Sequence, residues 1–348
     1  MCACSLSVLI PCRNARATLS RTLDSVLKAL PSQGEVIAVD DGSTDETYAL
    51  LQDYAQRDAR LKVLHQSPHQ GVSAARNAAL AAASGQYISF VDADDEVDPA
   101  FFDALTSALE KSSADLALCS FTCEKEGEKQ IVCPRVDYSQ LGESAPRQEF
   151  LPRIFGYSLA NVVSWYQGRP LFENREWAYV WRCVYRLDVI RKYNLHFDEA
   201  LKLNEDALFN ASYALVAKGI ACVLRPLYHK HFVAQSAENK VRRNSRAYLA
   251  NKMALLTARN RLNEEYEGTL SSLYAATCVL SLLEMLQITL SHPHVFGYGL
   301  HYLKEYGRES RVREALSVFP ISLHRPFVAM GVLFLRLCFP RARKESSR

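Results

Sequence analysis

Short apolar runs alternate with amphipathic stretches over the first third of the chain. "SLSVLIP" (5–11), "EVIAVDD" (35–41), "LKVLHQ" (61–66), "YISFVD" (87–92) and "ADLALCSF" (114–121) read as strands. Between the first two, Leu19, Leu23, Val26, Leu27 and Leu30 recur at helical spacing. Ser43 and Glu46 make an S-x-x-E capping box that should open the next helix. An alanine-rich stretch predicts a helix from Val72 to Ser84, with Gly85 as its stop. Asp98 then stands as an N-cap, with Pro99 at the first helical position. Strands separated by helices of this length predict an α/β fold with a doubly wound, mostly parallel sheet.

Beyond residue 123 the pattern changes. Residues 124–176 are irregular. Order returns at "WAYVWRCVYRLDVIRKYN" (177–194). Residues 197–219 read as a loop leading into a helix stopped by Gly219, and 220–232 as a strand. From about Ser236 the periodicity is helical, with runs at 245–262, 268–290 and 300–318, then an apolar segment at 326–340 followed by "RARK". At 348 residues the chain exceeds the usual single-core limit. We expect three stretches: 1–122, 123–235 and a helical 236–348.

The net charge of +3 is too near neutral to argue for nucleic acid as a partner. The charge is uneven: from His301 onward there are ten Lys and Arg against four Asp and Glu. The ten cysteines are scattered, with no zinc-like spacing, which predicts free thiols in a reducing compartment. No charged leader precedes a long apolar run, so no signal peptide is expected.

In doubly wound sheets ligands bind beyond the carboxyl ends of the strands. The polar clusters fall there: "PCRN" after the first strand, "DDGS" after the second, "DADD" after the fourth. Five acids crowd residues 92–98. Such a group is costly unless a cation neutralises it, and Mg²⁺ or Mn²⁺ takes one or two protein carboxylates plus phosphate oxygens. Asp92 and Asp94, alternating on an extended chain, should point the same way. Asp95 should face away and anchor the loop; Glu96 reads as a solvated charge. Asp40 or Asp41 could accept hydrogen bonds from a base or ribose, and Arg76 could meet a diphosphate. Read alone, the D-x-D favours an acidic turn on the surface, and Arg76 is as readily a surface ion pair.

Together, "VLIPCRN", "VIAVDDGSTDET", "GVSAARNAALAAASGQYISFVDADD" and "FDEALKLNEDALFN" resemble the family 2 glycosyltransferases of GT-A fold, in order and spacing, over about residues 5–235. The resemblance implies a nucleotide-sugar donor, mostly UDP-linked, and a divalent metal. It places Pro11, Arg13, Asn14, Asp40, Asp41, Arg76, Asp92 and Ala93 on the nucleotide, with Asp41 at the base. Asp92 and Asp94 become the metal-binding DxD pair. Glu205 and Asp206 match the family's "ED", with Asp206 as catalytic base. Residues 1–122 would then bind the nucleotide-sugar and 123–235 the acceptor. The reaction implied is an inverting transfer to a hydroxyl of a glycan or lipid-linked acceptor, in cell-surface polysaccharide synthesis.

The sequence departs from the family in places. Arg13 stands where an aromatic is usual, and His69 where Asn is common. His229 and His231 sit where some relatives contact metal or phosphate. The apolar 326–340 segment is too short to span a bilayer, and Arg336 interrupts it. Framed by cations, it predicts peripheral attachment to the cytoplasmic face of the membrane. Competing readings are a sugar nucleotidylyltransferase, a D-x-D phosphatase and a non-catalytic sugar-nucleotide-binding protein. The first lacks its glycine-rich loop, since "PCRNARATL" has no glycine. The second lacks the expected Thr or Val, since Glu96 stands there.

Overall fold

The computed structural model describes residues 6–339 apart from 126–127, 158, 168, 170–174, 232–240, 242, 267, 269, 308–309, 320 and 322–325. The chain forms two compact units: Met1–Ile154 with Glu176–Ala234, and Phe155–Arg175 with Gln235–Arg348.

The first unit is built on one sheet. Strands β1 (Leu6–Cys12), β2 (Glu35–Asp41), β3 (Leu61–Gln66) and β4 (Tyr87–Phe90) run parallel in the order β3-β2-β1-β4. Helices α1 (Leu19–Ala29), α2 (Thr47–Arg57) and α3 (Val72–Ala82) connect them. β2 and β4 are buried at every position, which is why they read as continuous apolar runs rather than alternating ones.

Past β4 the sheet becomes mixed. β5 (Glu96–Val97) precedes α4 (Phe101–Ser112), β6 (Leu116–Lys125) and β7 (Glu128–Val132). β8 (Cys183–Arg186) inserts antiparallel between β4 and β6, and β9 (Ile220–Lys230) pairs parallel with β6 and antiparallel with β5. The parallel expectation therefore holds for the first four strands. β8 is too short to carry a periodicity of its own. After α5 (Leu151–Phe155) and α6 (Leu159–Tyr166), α7 (Leu187–Lys192) and α8 (Glu205–Val216) complete this stretch of the chain.

Three local expectations shift. The box at Ser43 and Glu46 does not cap: α2 starts at Thr47, where Asp45 accepts the Thr47 amide, while the Ser43 hydroxyl accepts the Asn14 amide. Asp98 accepts the Ala100 amide at 2.8 Å, a turn before α4 rather than its N-cap, so Pro99 lies outside the helix. α3 ends at Ala82, two residues early.

The second unit holds α6 and helices α9 (Ser245–Glu265), α10 (Ser271–Ser291), α11 (Phe296–Gly307), α12 (Ser310–Val318) and α13 (Pro326–Cys338). Residues 273–291 of α10 are long and apolar enough to cross a bilayer by length and composition, yet 56% of that span is buried. Cys278, Val279, Leu282 and Met285 are fully buried, as in the core helix of a bundle. In α13, Ala329, Val332 and Leu335 face inward, whereas Phe327, Met330, Phe334 and Leu337 are exposed. Arg336 does not interrupt an apolar face. Its guanidinium donates to the carbonyls of Leu316, Ser317 and Phe319 and so closes the end of α12. "RARK" lies outside the described residues.

Candidate active site

Parallel pairing fixes where the polar clusters meet. Cys12 of β1 stands opposite Asp40 of β2, and Leu9 opposite Phe90 of β4, so all three strands end on one edge. The loops after them are laced together. Asn14, at φ 47°, accepts from the Thr44 amide at 2.8 Å. Arg13 pairs with His69. Pro11 lies inside β1 opposite Val39.

Asp40 and Asp41 differ in surroundings. Asp40 is fully buried; one oxygen meets His65 Nδ1 at 2.9 Å and the other has no partner. Asp41 accepts the amides of Gln70 (2.7 Å) and Gly71 (2.9 Å) and meets His69 Nδ1 at 2.7 Å. Its carboxylate therefore holds the 69–71 loop. Gly71, at φ 111°, is at a turn that a side chain would strain.

The acidic stretch is not extended. The Asp95 amide donates to the Asp92 carbonyl at 3.2 Å, which closes a turn over 92–95. Thr18, which precedes α1, and Arg21 and Thr22 on the first turn of the helix donate to the carbonyls of Ala93, Asp94 and Asp95. The turn draws Asp95 toward Asp92 and Asp94, so that a carboxylate oxygen from each lies within 4.8 Å of the others. Asp95 also anchors, as expected: it takes Tyr228 Oη and the His231 amide, each at 2.8 Å. Glu96 is not merely solvated; it pairs with Arg21 at 2.7 Å and His231 at 3.2 Å.

Crowding shows in the proton affinities. Burial, with Asp92 beside it, pushes Asp94 up to about 6. Burial and the same neighbours push Asp95 to about 8, against the pull of the His231 amide and Tyr228. Oxygens this close suit one octahedral cation with bonds of about 2.1 Å.

Arg76 is the second centre. Its guanidinium is 4% exposed and meets Asp206 at 2.6 Å, Glu205 at 3.1 Å and Asp92 at 3.1 Å. It lies over the Phe197 ring at 5.2 Å. Asp206, in the first turn of α8, also accepts the Val180 amide at 3.3 Å. Burial lifts the Asp206 carboxyl; Arg76 opposes this, but Glu205 and Asp92 add to it, leaving it at about 7. One cation thus serves three carboxylates, and Asp206 is poised to exchange a proton near neutral pH.

Sequence reasoning missed the aromatic residues joined to the acidic turn. Tyr228 bridges Asp95 and the Asp92 amide. Trp181 stacks on Tyr228 at 4.3 Å, Tyr179 on Trp181 at 4.6 Å, and Trp177 on Tyr179 at 5.7 Å. The available signal was the alternation W-A-Y-V-W at 177–181, which puts three rings on one face. His229, burial-depressed in proton affinity, meets Thr122 at 2.9 Å.

Residues 7–163 match the family model described as Glycosyl transferase family 2. The chain is 32% identical over 223 residues to the uncharacterized glycosyltransferase EpsJ of Bacillus subtilis, which covers 64% of this chain and 60% of EpsJ. It is 26% identical over 217 residues to the succinoglycan biosynthesis protein ExoO of Rhizobium meliloti, 62% of this chain and 56% of ExoO. The chain thus spans under two thirds of these relatives' lengths. The crystal structure of S. aureus TarS 1-349 in complex with UDP-GlcNAc superposes with a TM-score of 0.63 over 96% of this chain and 91% of TarS, at 17% identity, a likeness of fold.

Proposed function

Through residues 7–163 the chain belongs to glycosyl transferase family 2, and from that premise we propose that it moves a sugar from a nucleotide-linked donor to a hydroxyl of a glycan or lipid-linked acceptor, in bacterial surface polysaccharide synthesis. The observation that carries the proposal is the pairing of two acidic centres, the 92–95 turn and the carboxylate of Asp206, bridged by Arg76 at 3.1 Å from Asp92 and 2.6 Å from Asp206.

The donor nucleotide lies along Arg13, Asn14, Asp40, Asp41 and Ala93. A UDP-linked sugar is the donor we favour, since TarS, of the same fold, was solved with UDP-GlcNAc. Asp94 and Asp92, with Asp95 in reach, hold Mg²⁺ or Mn²⁺. A cation bound there would supply positive charge to the departing diphosphate.

Asp206 takes the proton from the acceptor hydroxyl as that oxygen attacks the anomeric carbon. The attack comes from the face opposite the leaving group, so the configuration inverts through an oxocarbenium-like transition state. Arg76 keeps Asp206 aligned and partly ionised. Glu205 raises its basicity. The exposed stripe of α13 supports attachment of the second unit to the cytoplasmic face of the membrane, where a lipid-linked acceptor would be met.

The test is a panel of UDP-sugars with and without Mn²⁺. One donor should show metal-dependent hydrolysis that D94A loses. Hydrolysis of none, or metal-independent hydrolysis that D94A retains, contradicts the proposal.

A further inference from the structure

The segment 177–181 has more order than a connecting loop needs. Its two ends are tied to each other. Glu176 and Arg182, both with fully buried side chains, pair at 3.2 Å. Glu176 further accepts the Arg135 amide at 2.7 Å and Tyr138 Oη at 3.1 Å. Arg182 donates to the Cys119 carbonyl at 2.8 Å. Breaking a buried charge pair tied in by these additional hydrogen bonds would strand a charge. Between these ends the rings of Trp177, Tyr179 and Trp181 stack with interplanar angles of 10° and 13°, and the stack continues to Tyr228 at 19°.

The stack has an inner and an outer end. Trp181 and Tyr228 are buried, and Tyr228 touches Asp95. Trp177 is 43% exposed, an unusual place for an indole whose neighbours are already packed. The backbone between them passes the candidate base, since the Val180 amide donates to Asp206. Trp177 is three residues upstream, so its Cα lies within about 10 Å of the Val180 Cα. Lys230 Nζ lies 4.7 Å from the Tyr179 ring and puts a cation beside the stack.

We propose that Trp177, held by the Glu176–Arg182 pair, is a stacking platform for a pyranose ring of the acceptor glycan. The inference rests on the glycosyltransferase reading above. The chemistry is that of a flat indole face: its negative quadrupole meets the polarised C–H bonds of one side of a sugar ring, and the apolar contact adds to it. A platform fixed before binding loses little entropy when the ligand arrives. Its place, three residues from the Val180 amide that meets Asp206, fits the sugar next to the reacting hydroxyl rather than the donor base, which belongs at the β1 and β2 ends.

The test uses the full chain and a panel of short glucose and N-acetylglucosamine oligosaccharides. Trp177 is the most exposed of the three tryptophans. Saturating oligosaccharide should therefore protect the intrinsic fluorescence from acrylamide quenching. W177A should weaken that oligosaccharide's binding, measured by calorimetry, roughly tenfold or more, and W177F should recover most of it. Binding of UDP with Mn²⁺, measured in parallel, should not change in W177A. Oligosaccharide binding that survives W177A, or that wild type lacks, overturns the platform. Weakened UDP binding in W177A also overturns it, by moving the ring to the donor. Failure of the UDP-sugar hydrolysis panel, by contrast, counts against the glycosyltransferase reading.

Discussion

Arg76 Nη1 lies 2.6 Å from Asp206 Oδ1, and its other terminal nitrogen lies 3.1 Å from Asp92. A single buried cation joins the strand-end acidic turn to the first turn of α8. Breaking a buried ion pair by removing one partner costs about 3–5 kcal/mol. R76M should approach that loss in chemical denaturation, because three carboxylates lose their shared cation. R76K should lose less, since the ammonium keeps a positive charge among the carboxylates, but should still fall short of wild type because it cannot span all three partners.

The same arrangement sets a pH dependence. Burial and the neighbouring anions leave Asp206 at about 7. A base must be ionised to accept a proton, so kcat/KM for transfer should fall as pH drops below about 7. In R76K the acid limb should move upward, because a weaker cation holds the ionised form less well. A profile flat from pH 5 to 8 would count against Asp206.

At the opposite end of β2, Glu35 makes an independent stability prediction. Burial raises its proton affinity, but hydrogen bonds from Lys62, Ser7 and Ser84 win and hold it down at about 2, from 4.5. A depressed folded pKa stabilises the protein above the unfolded value, and that stability is lost as pH falls from about 4.5 toward 2. E35Q should cost about 3 kcal/mol at pH 7, at ~1.4 kcal/mol per pKa unit, and the difference from wild type should shrink below pH 4. Equal denaturation midpoints at pH 7 would contradict the assignment.

Much of this was legible in the sequence because burial on both faces leaves a continuous apolar run. β1, β2 and β4 could be placed, and with them the edge where Asp40, Asp41 and Asp92 gather. Motif resemblance added Glu205 and Asp206, which no local pattern links to Asp92 across more than a hundred residues. Turn geometry was not legible: an alternating reading of 92–95 sends Asp95 away, whereas the Asp95–Asp92 backbone bond brings it in. Nor were tertiary partners. The place of Arg76 at the sheet edge points to a nucleotide, while the structure surrounds its guanidinium with carboxylates. Arg336 looked like an interruption until α12 supplied carbonyls for it.

Metal should stabilise the first unit through the 92–95 turn. Binding relieves the repulsion that lifts Asp94 to about 6 and Asp95 to about 8. It also releases the protons they retain, so Mn²⁺ affinity should rise between pH 6 and 8. Thermal denaturation with and without Mn²⁺ checks this. D94A should abolish the shift, while D98A, outside the cluster, should keep it.

The exposed residues of α13 give a separate expectation. Replacing Phe327, Phe334 and Leu337 with Ser removes apolar surface without touching the inward face. Co-sedimentation with anionic vesicles should fall several-fold. Undiminished sedimentation would remove the membrane role of this helix.

The central claim, that Asp206 is the base of a sugar transfer, has one direct measurement. D206N keeps the side chain's shape and loses its basicity. With the intact UDP-sugar that the hydrolysis panel identifies and its acceptor, D206N should lower kcat by about a thousandfold, within the range expected for a lost general base. Its Kd for UDP with Mn²⁺ should stay within a few-fold of wild type. Transfer at the wild-type rate with intact nucleotide binding would contradict the account.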